Sequence, residues 1–215
     1  MKIGILGSGI VGRVLAAAFV NEGHHVGLGT RDPSKEELVK FKGENPAVTI
    51  GSFDATASAA DIIVLAVKGD IVLDVIDQSG KENFTGKIVI DATNPIANQP
   101  PVNGVLSFFT GPNNSLMEQV QTYVPDSKIV KAFNSIGNAF MYKPDFGGIK
   151  PTMFICGNDE DAKKRVTEIL DAFGWETEDM GKAEAARAIE PLCILWCIPG
   201  ILSNHWSHAF KLLKK

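Results

Sequence analysis

Lys2-Ile3-Gly4-Ile5-Leu6-Gly7-Ser8-Gly9-Ile10-Val11-Gly12 begins with a short apolar run and breaks into Gly-x-Gly-x-x-Gly at Gly7, Gly9 and Gly12. The run reads as a buried parallel strand, and Arg13 to Glu22 continues with the 3.6-residue apolar spacing of a helix. Each glycine has a separate task. Gly7 permits a tight turn, Gly9 lets a pyrophosphate approach a backbone that has no Cβ, and Gly12 lets helix and strand pack closely. Free N–H groups at the helix start would then face a dianion, so the stretch predicts a dinucleotide site.

Working outward, Val26 to Thr30 reads as a second strand followed by Arg31-Asp32-Pro33-Ser34-Lys35. In this architecture the end of the second strand selects the cofactor. A carboxylate there accepts from the ribose hydroxyls of NAD, and cationic donors hold the 2′-phosphate of NADP. Thr30, Arg31, Ser34 and Lys35 suit a phosphate, since Arg offers a fork of donors and Lys a point charge. The competing reading takes Asp32 as a ribose ligand and both cations as solvated surface charge. Asp32 precedes Pro33 and sits one residue further along, which favours NADP.

Strand and helix signals then alternate, as parallel βαβ wiring requires. Strands are expected at Val48 to Ile50, Ile62 to Val67, Lys87 to Ala92 and Ile129 to Phe133, and helices at Ser52 to Ala60 and Asp70 to Asp77. Ser115-x-x-Glu118 is a capping box that opens a further helix. Ligands bind outside the carboxyl ends of such strands, which places Ala66-Val67-Lys68-Gly69 beside the cofactor. Ala97 to Gly111 carries prolines and glycines with little periodicity and reads as a long loop over the mouth of the site. Thr152 to Cys156 is a strand, Asn158 a cap for a helix over Asp159 to Phe173, and Trp175 to Asp179 a last strand. Ala183 to Leu213 is expected to be helical, with Pro191 and Pro199 kinking or dividing it. The expected fold is α/β, a Rossmann-type doubly wound, mostly parallel sheet. Residues 1–150 would form the dinucleotide-binding domain, and residues 151–215 a C-terminal extension that completes the sheet edge and forms a dimerising helical region.

Composition bounds the function. The net charge of −4 argues against nucleic acid as a partner, because phosphate neutralisation wants a basic surface. The odd number of cysteines, Cys156, Cys193 and Cys197, reads as reduced thiols in a cytoplasmic protein, and the early first strand predicts no signal peptide. Ile189 to Leu202 contains Glu190, two prolines and a glycine, and is read as a buried or interfacial helix rather than a membrane span. Trp196 with Ile189, Leu192 and Leu195 makes a core or dimer face, so a homodimer is expected. No metal site is expected: His205-x-x-His208 has helical spacing but lacks a third ligand. Lys68 and Lys131 are the strand-end lysines that could move a proton, but they read more readily as surface or phosphate-facing charges.

With the strand ends in place, the chain resembles the NADP oxidoreductase, coenzyme F420-dependent family. The resemblance rests on Gly7 to Gly12, Gly29-Thr30-Arg31, Asp91-Ala92-Thr93-Asn94-Pro95, Val130 to Ser135, Phe154 to Asp159 and Ile189-Glu190-Pro191-Leu192, and covers nearly the whole chain. The same sheet resembles the reductase domain of the six-transmembrane ferric reductases. The resemblance implies NADP(H) on the Rossmann sheet and hydride exchange with a deazaflavin (coenzyme F420), or with FMN or FAD, as the small-molecule acceptor. It maps the 2′-phosphate onto Thr30, Arg31 and Lys35, the pyrophosphate onto Ser8, Ile10 and Val11, the nicotinamide beside Val67, Lys68, Asn94 and Pro95, and the second ring near Asn134, Ser135 and Ile136. Such transfer works by positioning, so no acid or base is expected among these residues. A non-catalytic NADP sensor or scaffold is the alternative. A dehydrogenase of the 3-hydroxy acid type is disfavoured because the chain is too short for the usual all-helical substrate domain.

Overall fold

In the computed structural model, which describes residues 1–215, eight strands form one sheet. They are β1 (Lys2–Leu6), β2 (His25–Gly29), β3 (Thr49–Gly51), β4 (Ile62–Leu65), β5 (Ile88–Asp91), β6 (Lys128–Lys131), β7 (Thr152–Gly157) and β8 (Glu176–Asp179). Their order, β3-β2-β1-β4-β5-β6-β7-β8, is that of the Rossmann fold extended by two strands. All neighbours run parallel except β6 and β7, whose pairing is antiparallel.

Side-chain alternation explains why the central strands are apolar throughout. Ile62 and Val64 of β4 enter one core cluster, and Ile63 and Leu65 enter the cluster on the opposite face. Helices α1 (Ile10–Asn21) and α6 (Glu160–Ala172) supply Leu15, Phe19, Val166 and Leu170 to the first cluster. The second receives residues from α3 (Phe53–Ala59), α4 (Val72–Gln78) and α5 (Leu116–Tyr123). The Ser115 capping box forms as expected: its hydroxyl accepts from Glu118 N, and Glu118 Oε2 accepts from Ser115 N at 3.0 Å.

Four readings need correction. Helix α2 (Glu36–Glu44) had no expected counterpart, because only Leu38 and Phe41 of its residues are buried and the apolar stripe is thin. The cap of α6 is Asp159, whose Oδ1 accepts from Ala162 N at 2.8 Å, and Asn158 instead accepts from Ala183 N. The loop over Ala97 to Gly111 contains a folded excursion: Ile96 pairs with Phe108, and Val102 with Val105 around Asn103-Gly104. Both tip residues have positive φ (50° and 82°), as a type I′ hairpin turn requires. Finally, the chain after Ser203 is not helical. A helical run from Ala183 to Ser203, including α7 (Ala186–Ile189) and α8 (Pro191–Ser203), ends at Asn204 in the left-handed conformation (φ 52°). The tail then runs beside β7, with Thr152 N donating to Phe210 O and Leu212 N to Thr152 Oγ1.

That helical run, at 21 residues, is shorter than the expected Ala183 to Leu213 and is long and apolar enough to cross a membrane by length and composition alone. It is docked on the sheet through Ile189, Glu190, Cys193 and Trp196, all buried, while Leu195 and Leu202 face outward. His205 and His208 lie beyond its end with their rings stacked 5.5 Å apart, and His208 Nε2 is bonded to Trp196 O.

The glycine turn is the tightest point of the fold. A Cβ on Gly12 would lie 1.8 Å from Gly7 O, and one on Gly7, at φ 125°, would lie 2.3 Å from Ala66 O. Gly12→Ala should therefore cost about 3 kcal/mol, roughly 6–12 °C in Tm for a domain of this size. Thermal unfolding followed by circular dichroism checks this, and an unchanged Tm would contradict the packing.

Candidate functional site

The turn from β1 into α1 opens on a cavity of about 690 Å³ at the carboxyl ends of β1, β2 and β4. This is the switch point of the sheet, where the chain crosses from β3 back to β4. Gly7, Ser8, Gly9, Ile10 and Val11 form its floor, Thr30, Arg31 and Lys35 one end, and Val67 and Lys68 the other. The first turn of α1 has no side-chain cap, because Gly9 occupies the N-cap position. A Cβ built on Gly9 meets nothing within 4 Å, so the backbone there is open to a ligand. Uncapped N–H groups beside open space fit an incoming pyrophosphate.

At the cationic end, Ser8 Oγ donates to Thr30 Oγ1 at 3.0 Å, and Thr30 Oγ1 also accepts from Asp32 N at 3.3 Å. Asp32 is turned into its own loop. Its Oδ1 accepts from Ser34 Oγ at 2.6 Å and Ser34 N at 2.9 Å, and these two bonds hold its carboxyl below the usual range. Ser34 is thereby spent on Asp32 and does not line the cavity, whereas Arg31 and Lys35 do and are exposed. Arg13 is engaged elsewhere, donating to Ser8 O at 3.0 Å and pairing with Glu37 at 3.1 Å.

A second cavity of about 290 Å³ adjoins the first through Val67, Lys68, Asp70 and Ala92, and is completed by Gly69, Asn94, Ile96, Ala97 and Asn98. Gly69 is pressed against residue 94, where a Cβ would lie 2.1 Å from Asn94 O. Pro95 is buried beside this wall. Asn134, Ser135 and Ile136 are buried and line neither cavity. Asn134 instead holds Asn94: Asn94 Nδ2 donates to Asn134 O at 2.8 Å, and Asn134 Nδ2 donates to Ile189 O at 3.0 Å and to Asn94 Oδ1 at 3.3 Å. Phe133, just before it, has φ 63°, an outlying conformation for a bulky residue that turns the chain sharply at the end of β6.

Lys131 overturns its reading as a surface or phosphate-facing charge. Its side chain is fully buried, 2.8 Å from Asp91 Oδ2, 3.0 Å from Glu190 Oε1, and donates to Thr93 O at 2.8 Å. Burial alone would lower its pKa, but the two carboxylates outweigh that and raise it, so the ammonium stays charged. Glu190 also accepts from Leu116 N and Met117 N at the start of α5, both at 3.0 Å. The helix start partly offsets the extra negative charge of the cluster.

Sequence reasoning missed Phe53, Asp70 and Ile71 as cavity walls, and the residues of the Lys131 cluster as a unit. Phe53 and Ile71 follow the ends of β3 and β4, a placement only the topology reveals. The cluster joins residues 40 and 59 positions from Lys131, a distance that no local spacing encodes.

An uncapped helix start, an open glycine backbone and a cationic end at a Rossmann switch point define a dinucleotide-binding protein. The family described as NADP oxidoreductase coenzyme F420-dependent matches residues 2–95. The F420-dependent NADP reductase of Methanocaldococcus jannaschii is 30% identical over 203 residues, which cover 89% of this chain and 89% of that protein. A solved structure from Arthrobacter sp. FB24, provisionally named an F420-dependent NADP reductase, superposes with TM-score 0.93 at 31% identity over 100% of both chains. Metalloreductase STEAP3 of Rattus norvegicus is 30% identical over 207 residues, 94% of this chain, yet the match spans only 39% of that protein. The chain belongs to the coenzyme F420-dependent NADP oxidoreductase family, and it is an NADP-dependent oxidoreductase.

The three cysteines, Cys156, Cys193 and Cys197, are unpaired. Burial pushes the Cys156 thiol from its ordinary 9.0 up to about 12. The hydrogen bond between Cys193 and Cys197 raises the former and lowers the latter. At pH 8 an aromatic disulfide reagent should modify Cys197 first, with Cys156 and Cys193 reacting only on unfolding. Because the folded pKa of Cys156 lies above the unfolded one, its contribution to stability is complete below about pH 9 and declines toward pH 12. The urea midpoint of wild type should fall more steeply over that window than that of Cys156→Ala. Equal slopes, or rapid modification of all three thiols, would contradict these assignments.

Proposed function

We propose that the chain transfers hydride between NADPH and the deazaflavin ring of coenzyme F420. The observation that carries this reading is the pair of adjoining cavities, which share Val67, Lys68, Asp70 and Ala92 as a common wall. On this reading the backbone of Ser8 to Val11 takes the pyrophosphate, and Thr30, Arg31 and Lys35 take the adenosine 2′-phosphate. Val67, Lys68 and Asn94 seat the nicotinamide where the cavities meet. The second ring occupies the space bounded by Gly69, Ile96, Ala97 and Asn98. That position replaces the one expected beside Asn134 to Ile136, which are enclosed by protein.

NADPH supplies the hydride, and the residues around it supply alignment and exclusion of water. The chemistry agrees with the lining. Lys68 and Asp70 are exposed, and Lys131 is locked between two carboxylates. No buried, free acid or base faces the shared wall, and direct transfer between two rings needs none. The likeness to STEAP3, named a metalloreductase, favours a second reading in which FMN or FAD accepts the hydride and passes electrons to ferric iron.

Absorbance at 340 nm and 420 nm, followed with NADPH and coenzyme F420, FMN, FAD or a ferric chelate with and without flavin, tests the acceptor. Turnover with the deazaflavin supports the first reading. Turnover only with flavin favours the second, and no turnover with any acceptor contradicts both. Arg31→Ala should weaken NADPH binding roughly ten- to a hundredfold by removing charge-assisted bonds to the 2′-phosphate, with NADH affinity little changed. An equal loss for both nucleotides would reject the phosphate assignment.

A further inference from the structure

Lys131 belongs to a closed ring of contacts that ends at the wall shared by the two cavities. Lys131 Nζ donates to Thr93 O at 2.8 Å, and Asn94 follows directly in the chain. Asn94 Nδ2 donates to Asn134 O, and Asn134 Nδ2 donates to Ile189 O. Glu190 follows Ile189, and its Oε1 lies 3.0 Å from Lys131 Nζ, closing the ring. Asp91 braces it from below: Oδ1 accepts from Thr93 N at 2.9 Å and Thr93 Oγ1 at 2.7 Å, and Oδ2 has no partner besides the ammonium. All members except Asn94 are buried, and Asn94 alone reaches a cavity.

A buried ion pair is poor evidence for a device that only stabilises, since apolar side chains of similar volume often serve as well. This one fixes geometry. The ammonium gathers the carboxyl end of β5, the end of β6 and the junction between α7 and α8, the three segments that carry Thr93-Asn94, Asn134 and Ile189. The left-handed Phe133 lies between Lys131 and Asn134, so the backbone that connects two ring members is itself held in a disfavoured shape. We propose that Lys131 is a positioning residue that, through Thr93 and Asn134, sets Asn94 against the nicotinamide. The proposal rests on the placement of the nicotinamide given above. It assigns Lys131 no contact with either substrate and no proton transfer.

The test compares wild type with Lys131→Met and with Asn134→Ala, which opens the same ring without stranding buried carboxylates. Three readouts are normalised per mole of bound NADPH. They are the NADPH Kd, the emission of the bound nicotinamide in the absence of acceptor, and kcat with its isotope effect using 4-deuterated NADPH. Both variants should keep Kd within about threefold and lose the wild-type nicotinamide emission. Their kcat should fall at least about tenfold with an enlarged isotope effect, because a misplacement near 1 Å can cost on the order of a hundredfold. If Lys131→Met does not fold, Asn134→Ala decides alone. Variants that bind NADPH with wild-type emission and wild-type kcat would overturn the proposal. Should wild type turn over no acceptor, the acceptor reading fails, while the emission comparison still decides whether Lys131 positions the ring.

Discussion

Everything at the nucleotide end of this molecule depends on how closely α1 approaches the turn it grows from. Gly12 sits over the carbonyl of Gly7, where no side chain fits, and Gly7 takes a positive φ against the backbone of Ala66. That contact brings the start of α1 to the switch point with its first N–H groups uncapped. Gly9 then leaves the approach to them open. The cavity, its appetite for anions and its position between β1 and β4 all follow from this single close approach.

The other half of the site is built on different physics. Beyond β4, where Gly69 presses against Asn94, a buried ammonium gathers the strand ends. Lys131 draws Asp91, Glu190 and the Thr93 carbonyl together, and α5 presents its first N–H groups to Glu190. Removing one member would leave a charge unpaired in the protein interior, which is far costlier than never having had it there. The site thus joins an open backbone cradle at an uncapped helix start to a rigid polar frame that holds the wall shared by the two cavities.

Much of this was legible in the sequence because it is written in local chemistry. The glycine spacing, the capping box at Ser115 and the alternation of strands and helices reflect constraints that act over a few residues. Arg31 and Lys35 were placed by the same reasoning, and they do stand at the cavity. Asn103-Gly104 between two valines was an available hairpin signal that a reading based on loop length passed over. Asn204 likewise marked the helix end, but the apolar residues of the tail masked it. The Lys131 frame was not legible, since its members are scattered over the chain and a lysine at a strand end resembles any surface lysine. Asn134 was read as lining the site, but it is buried and holds Asn94, because sequence position does not tell a residue that faces a cavity from one that holds its neighbour.

On the proposed reading, NADP lies across the carboxyl ends of β1, β2 and β4 with its nicotinamide at the wall shared by the two cavities. A crystal structure with NADP⁺ tests it most directly. The pyrophosphate should lie against the backbone of residues 8–11, the 2′-phosphate among Thr30, Arg31 and Lys35, and the nicotinamide beside Val67 and Asn94. A nicotinamide directed away from Asn94, or a 2′-phosphate that touches neither cation, would contradict it.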